Sequence, residues 1–204
     1  NIVDIEEFPP QTLDLKTELL RLQKKGAEYI FTQVLPSGVI MALQSADRIK
    51  YDVPFLGTWT STDPTFFERG KGLLRNRIFV QFCGGLPGDG TPGVALFQDL
   101  MKRYGTVQKF DFSYWEGVIM GMLVERACQR AHEKFAKIDS ETINQALETF
   151  KDEDFGGLFP KVTYTKTDHS ASWKARIVKL NEEQTYTPMT GFWAPGKEKV
   201  SILK

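Results

Sequence analysis

The chain has 204 residues, of which 41% are hydrophobic, 25% charged and 12% aromatic. Its 26 basic and 26 acidic residues cancel, so charge does not favour nucleic acid or an anionic membrane surface as a partner. The longest run of apolar residues and glycine, residues 117–124, is far shorter than the ~20 residues that cross a bilayer. Composition alone therefore indicates a globular protein.

Short apolar runs alternate with helical patterns along the first part of the chain. The predicted strands are residues 1–8, 28–33, 53–57 and 77–82. Asp14 predicts a helix N-cap, residues 36–38 begin a second helix, and Asp63-Pro64 predicts a short capped helix with proline at its first position. This alternation is typical of an α/β fold whose mainly parallel sheet is buried on both faces.

Later segments are richer in helical patterns. Residues 83–93 hold five glycines and two prolines, which predicts a loop. The predicted helices cover residues 92–104, residues 113–137 with Ser113 as the cap, and a segment after Asp139 and Ser140. Residues 162–180 predict a β-hairpin with a polar turn at residues 167–170.

Ligands of open parallel sheets bind at the carboxyl ends of the strands, which directs attention to residues 32–37, residues 58–63 and the loop after Phe82. A tryptophan among small hydroxyl residues, as in Thr58-Trp59-Thr60, can stack on a ligand while its neighbours form hydrogen bonds. The start of the long helix adds unpaired N–H groups. The predicted ligand-binding residues are Gln33, Leu35, Pro36, Thr58, Trp59, Thr60, Tyr114 and Glu116. Two of these residues also have a structural alternative to ligand binding. Trp59 can instead cover the sheet edge, and Glu116 can instead be a solvated or bridging carboxylate.

No pattern predicts a catalytic group, a metal or a cofactor. The Asp-His-Ser turn at residues 168–170 cannot form a relay, because neighbouring side chains in a turn point apart. Cys128 and His132 share a helix face but are too few for a structural metal. The glycines of residues 83–93 lack the Lys-Ser/Thr pair of a phosphate loop. We expect Cys83 and Cys128 to be unpaired.

Several segments occur in the order of a known family's motifs. They are residues 14–31, the strand Val-Pro-Phe-Leu-Gly-Thr at 53–58, the helix at 97–105 that ends in Tyr-Gly, the helix at 114–131, and the tail at 155–169 with Phe-Gly-Gly and Asp-His. In this order they resemble the type I periplasmic binding proteins, and among these the branched-chain amino-acid (Leu/Ile/Val) solute-binding family of ABC transporters.

The resemblance implies the type I periplasmic-binding-protein fold, in which two Rossmann-like α/β lobes, with helices on both faces of mainly parallel sheets, close on a small solute. It implies an incomplete N-terminal lobe, with residues 1–83 in the second lobe, 84–156 in the first, and 157–204 returning to the second. The implied partners are a small-molecule solute, a membrane permease and the missing N-terminal lobe, and the implied location is the periplasm or cell surface. No cofactor and no nucleic acid are implied.

Two of the family's ligand contacts are not kept. Its second-lobe aromatic contact falls near Leu35, and its acidic ligand for an α-ammonium falls at or beside Trp59. Tryptophan attracts an ammonium only weakly, through its π face. The resemblance thus implies a solute receptor and not an enzyme, for a branched-chain amino acid-like solute, an aromatic acid or an amide. The alternative is a ligand-sensing regulatory domain of the same fold, such as an amide sensor or a receptor input domain.

Overall fold

The computed structural model describes residues 1–9, 11–105 and 109–194. Its contacts divide the chain into unit 1, made of Asn1–Phe82 and Ile177–Gly191, and unit 2, made of Cys83–Arg176 and the chain from Phe192 onward. The chain therefore passes between the units three times. The assignment of residues 1–83, 84–156 and 157–204 to lobes stays a prediction.

Unit 1 is built on a five-stranded sheet. Its strands follow chain order: β1 (Ile30–Thr32), β2 (Phe55–Thr58), β3 (Ile78–Phe82), β4 (Arg176–Leu180) and β5 (Tyr186–Pro188). The first three run parallel, with Phe55 beside both Ile30 and Ile78, whereas β5 is antiparallel to β4. The predicted strands at 28–33, 53–57 and 77–82 and the parallel-dominated α/β fold are confirmed.

Three helices complete unit 1: α1 (Lys16–Lys24), α2 (Pro36–Arg48) and α3 (Pro64–Arg69). α2 packs against both α1 and α3. As predicted, Asp63 caps α3, because its Oδ1 accepts a hydrogen bond from the Phe66 N–H at 2.6 Å. The predicted cap at Asp14 is one residue too early, since Leu15 is the N-cap of α1. The fully buried large side chains of unit 1 include Leu43, Phe55, Phe66, Leu74, Val80, Phe82 and Leu180.

The predicted strand at residues 1–8 is wrong, because this segment lies outside regular secondary structure. A strand needs a neighbour to satisfy its backbone N–H and C=O groups. Here the acidic side chains bind the basic side of α1 instead: Glu6 accepts from Arg21 at 2.7 Å, and Asp4 accepts from Lys25 at 2.7 Å.

Unit 2 is mainly helical and contains α4 (Pro92–Tyr104), α5 (Phe112–Phe135) and α6 (Ser140–Leu147). α5 packs against α6. Asp139 caps α6 as predicted, in a reciprocal pair with Thr142. The cap of α5 is Asp111 and not Ser113, since Ser113 already lies within the helix. None of the helices in the described ranges, the 24-residue α5 included, has the length and apolarity to cross a membrane.

The predicted hairpin over residues 162–180 is also wrong. Thr165 and Asp168 pair across a tight turn, but Val162 pairs with Glu153, and β4 pairs with β5. The second arm was assigned to the wrong partner because β5 has only three residues and ends in proline, which is a weak strand signal.

Candidate functional site

The carboxyl ends of β1, β2 and β3 lie in a row. Thr32 is beside Gly57, and Thr58 is beside Gln81. The predicted ligand segment at residues 33–37 follows β1 directly, and the segment at 58–60 begins at the last residue of β2, so they are neighbours at this edge of the sheet. Parallel strand ends are the usual ligand-binding edge of an open α/β sheet.

Four hydroxyl groups gather at these strand ends, on Thr32, Thr58, Thr60 and Ser61, and we call them the hydroxyl cluster. Thr58 Oγ1 lies 2.7 Å from Thr60 Oγ1 and 3.5 Å from Ser61 Oγ. The Thr32 and Ser61 hydroxyls both lie close to Gly57: a Cβ added there would be 3.1 Å from Thr32 Oγ1 and 3.3 Å from Ser61 Oγ. Hydroxyls can both donate and accept, so the cluster can bind a carboxylate, an amide or another hydroxyl.

A short 3-10 helix, Trp59–Ser61, turns the chain at the end of β2. The Thr62 hydroxyl closes this turn by donating to the Trp59 carbonyl at 3.0 Å. The Trp59 side chain itself is half-buried, which leaves part of the indole open to contact. Asp63 follows, but its carboxylate already accepts from the Phe66 N–H and the Thr65 hydroxyl. The polar groups offered here are therefore mainly hydroxyls and not carboxylates.

The end of β1 offers exposed side chains beside this turn. Gln33 is exposed, and Leu35 is 73% exposed. Leu35 is also the N-cap residue of α2, and Pro36 occupies the first helical position. An amide and an aliphatic side chain thus flank the start of α2.

Tyr114 and Glu116 lie in unit 2, in the first turns of α5. The Tyr114 hydroxyl donates to the Leu100 carbonyl at 3.3 Å, and its ring packs edge-on against Phe97, with the ring centroids 5.9 Å apart. Glu116 is exposed. Burial, reinforced by the Glu116 carboxylate, raises the pKa of the Cys83 thiol to about 11. Tyr114 therefore joins α5 to α4, while Glu116 acts electrostatically on Cys83.

The predicted site residues thus fall into two groups. Gln33, Leu35, Pro36, Thr58, Trp59 and Thr60 gather on unit 1, and Tyr114 and Glu116 lie on unit 2; their binding roles stay predictions. Sequence reasoning missed Thr32 and Ser61, which are 9% and 2% exposed. Both lie inside the strand-end segments singled out from the sequence, but their burial depends on contacts with other elements: Thr32 with β2, and the helix of Ser61 with β2, β3 and α2.

Within the described ranges, no group of three or more His, Cys, Asp or Glu side chains is placed to hold a metal ion. Cys83 and Cys128 are free thiols.

The sequence model of a family described as "Periplasmic binding protein" matches residues 1–185. No curated protein matches the chain. Among solved structures, the chain is similar to a branched-chain amino acid ABC transporter from Thermus thermophilus with bound valine. The identity is 22%, the TM-score is 0.83, and the match covers 100% of this chain and 55% of that one.

Two further structures are similar. A fatty acid ABC transporter substrate-binding protein from Thermomonospora curvata has 19% identity and a TM-score of 0.80, with coverage of 94% of this chain and 50% of that one. A leucine binding protein from Thermotoga maritima has 13% identity and a TM-score of 0.74, with coverage of 92% and 51%. The chain spans about half the length of the structures it matches.

Proposed function

The chain belongs to the periplasmic binding protein family, and from this premise we propose that it forms part of the solute receptor of an ABC importer. The receptor captures a small organic solute between two hinged lobes. The observation that carries the proposal is the hydroxyl cluster beside the half-buried Trp59, at neighbouring strand ends of a parallel sheet. Hydroxyls can bind the polar head of a solute while an indole covers its apolar part.

The solute class follows from the charges at this edge. Gln33, Leu35 and the residues Thr58 to Thr60 are all uncharged, and the Asp63 carboxylate caps α3 through Oδ1, which accepts from the Phe66 N–H and the Thr65 hydroxyl. An α-ammonium that contacts Gln33, Leu35 and residues 58–60 would lose its water without gaining a carboxylate from them, which is unfavourable. We therefore propose an aromatic or aliphatic acid, or an amide, as the solute in preference to a zwitterionic amino acid.

The remaining parts of the proposal concern the whole receptor. A further part of the fold supplies the other half of the cleft, consistent with matched structures that are about twice as long as this chain. The receptor is exported to the periplasm or cell surface and delivers its solute to a membrane permease. It binds the solute without turning it over.

The test is a thermal-shift and native mass-spectrometry panel on the full-length protein that contains this chain. Its most informative arms are matched pairs that differ only by the ammonium group: isocaproate against leucine, and hydrocinnamate against phenylalanine. A solute at 100 times its Kd stabilises the folded protein by about 2.7 kcal/mol, which a melting curve resolves. We expect an acid or an amide to raise the Tm, and its amino-acid counterpart to have no effect.

A larger shift with leucine than with isocaproate would contradict the solute class but keep the receptor function. Conversion of any bound solute to a product would contradict the receptor function itself.

A further inference from the structure

Arg176 is the last residue before the second of the three passages of the chain between the units. Within unit 2, its side chain also contacts residues next to the first and third passages. Its Nη2 donates to the Gly84 carbonyl at 2.7 Å, just after the passage that follows Phe82. Its guanidinium carbon lies 4.7 Å from the centre of the Phe192 ring, the first residue after the third passage. Segments far apart in sequence are thus gathered by one side chain.

The same guanidinium forms a bidentate ion pair with Asp89, in the loop after the first passage. Nη1 donates to Oδ1 at 3.1 Å, and Nη2 lies 2.5 Å from Oδ2. Burial opposes ionisation of Asp89, but the Arg176 guanidinium and the Leu86 N–H outweigh it and hold the pKa of Asp89 below its usual range. Asp89 therefore fixes the loop backbone and the arginine together. We call Gly84, Asp89, Arg176 and Phe192 the passage clamp.

The second and third passages also meet through their backbones. Ala175 and Trp193 exchange two N–H···O=C bonds, each 2.9 Å long. The passage clamp adds the first passage to this pair.

Stability alone does not account for the clamp. The Arg176 side chain is only 6% exposed, and its Nε finds no hydrogen-bond acceptor among the described residues. A buried ion pair with an unpaired donor is weak support for a fold, because desolvation offsets most of its attraction. Its bidentate and directional contacts instead specify position.

We propose that Arg176 is a positioning residue that fastens the three passages to one another and so slows their local opening. The fastening is a property of the chain alone. Its consequence, a clamp-dependent affinity for solute, rests on the proposed function.

Unit 1 provides a matched control in Arg77. Its side chain is also 6% exposed and pairs with two carboxylates, Asp47 at 2.5 Å and Asp52 at 3.1 Å. It lies just before the amino end of β3, whereas the first passage follows the carboxyl end of that strand. Loss of Arg77 should therefore disturb a buried ion pair without disturbing a passage.

Hydrogen–deuterium exchange with mass spectrometry, on the protein without solute, tests the fastening. Arg176→Lys keeps the charge but cannot reproduce the bidentate pair together with the Gly84 contact. We expect exchange to accelerate about tenfold, and by a similar factor, in residues 83–90, 175–178 and 189–194, with β2 and the centre of α5 unchanged. Arg77→Lys should leave all three segments within about twofold of the parent.

Asp89→Asn provides a second variant that retains the arginine, and it should accelerate the same three segments if Arg176→Lys does not fold. Acceleration confined to the neighbourhood of residue 176, or spread evenly over the chain, would overturn the proposal, as would an equal response to Arg77→Lys. Because the exchange measurement uses no solute, its result does not depend on whether the solute panel supports the proposed function.

Discussion

The carboxyl edge of the sheet in unit 1 and the start of α5 in unit 2 carry similar residues in different circumstances. Both place aromatic rings next to small polar groups. In unit 2, the Trp115 indole N–H donates to the Leu158 carbonyl at 3.2 Å, and the Tyr114 hydroxyl donates to Leu100. In unit 1, Thr58 and Thr60 bond to each other beside a half-buried Trp59. The first arrangement joins helices and loops to one another, whereas the second leaves the bonded hydroxyls of Thr58 and Thr60 at the edge of the sheet.

The largest expected effect concerns the tight packing of unit 2. A Cβ on Gly93, in α4, would lie 2.3 Å from the Phe155 carbonyl oxygen, so the backbone would have to move. Gly93→Ala should lower the free energy of unfolding by about 3 kcal/mol or more. Gly117 in α5 is the matched control, because a Cβ there meets nothing within 4 Å. Gly117→Ala should be neutral or stabilise by up to about 1 kcal/mol. Urea unfolding followed by circular dichroism measures both, and equal effects would show that unit 2 is not packed as described.

The second effect, on solute affinity, tests the difference between the sheet edge of unit 1 and the start of α5. Trp59→Ala should weaken binding of the solute identified in the panel by about 1–3 kcal/mol, the range for loss of an aromatic contact at a binding centre. Trp173→Ala, which removes a 45% exposed tryptophan from unit 2, should leave the affinity unchanged. Calorimetric titration measures both variants.

Tyr114→Phe extends the same experiment to α5. Its hydroxyl is bound to Leu100, so we expect a smaller loss of affinity than for Trp59→Ala. A larger loss would reverse the comparison and place the main solute contact on unit 2. Unfolding of Trp59→Ala without a separate effect on affinity would assign Trp59 to packing.

The smallest effect concerns Cys83. Its pKa of about 11 keeps the thiol protonated, and hence poorly nucleophilic, at pH values where an unperturbed thiol of pKa 9.0 is half ionised. Because only the unfolded chain ionises this thiol between these two values, the folded state loses stability as the pH rises from 9.0 to about 11. Iodoacetamide should modify Cys83 slowly at pH 9.

Glu116→Gln should accelerate this alkylation, since it removes the carboxylate that opposes thiolate formation. Glu125→Gln, a substitution of an exposed carboxylate further along α5, serves as the control. Mass spectrometry of the modified peptide gives both alkylation rates. Equal rates in the two variants would show that the Glu116 carboxylate does not affect the Cys83 thiol.

Features with local causes were predictable from the sequence. Asp63 and Asp139 cap their helices as expected, because a cap requires only a side-chain oxygen within three residues of a free N–H. The parallel strands were recognisable from short apolar runs between helices. The closeness of the two strand-end segments followed from the same alternation, since parallel strands bring their carboxyl ends to one edge; their role in binding stays a prediction.

Features with distant partners were not predictable. Residues 1–8 have the composition of a strand but lack a neighbour to pair with in the described structure, and β4 pairs with a strand too short to recognise. Ser61 is one hydroxyl among several in the sequence, and it is buried where its 3-10 helix contacts β2, β3 and α2. The ion pair of the passage clamp could not be predicted, because Asp89 lies 87 residues from Arg176 in the sequence.

The discontinuity of unit 1 imposes an order on its folding. β4 and β5 join the sheet only after about 90 intervening residues have been synthesised, and these residues make up most of unit 2. The helices of unit 2 rely on local contacts, which form quickly, whereas closing the sheet joins ends separated by a long loop and is slow. On the ribosome, β1 to β3 therefore emerge as an incomplete sheet, before its last two strands have been synthesised.

The segment between Phe82 and Ile177 is an insertion within unit 1. Its early folding shortens the effective distance between the two ends that must meet in the sheet. Mutations that slow the folding of unit 2 should therefore also delay completion of unit 1.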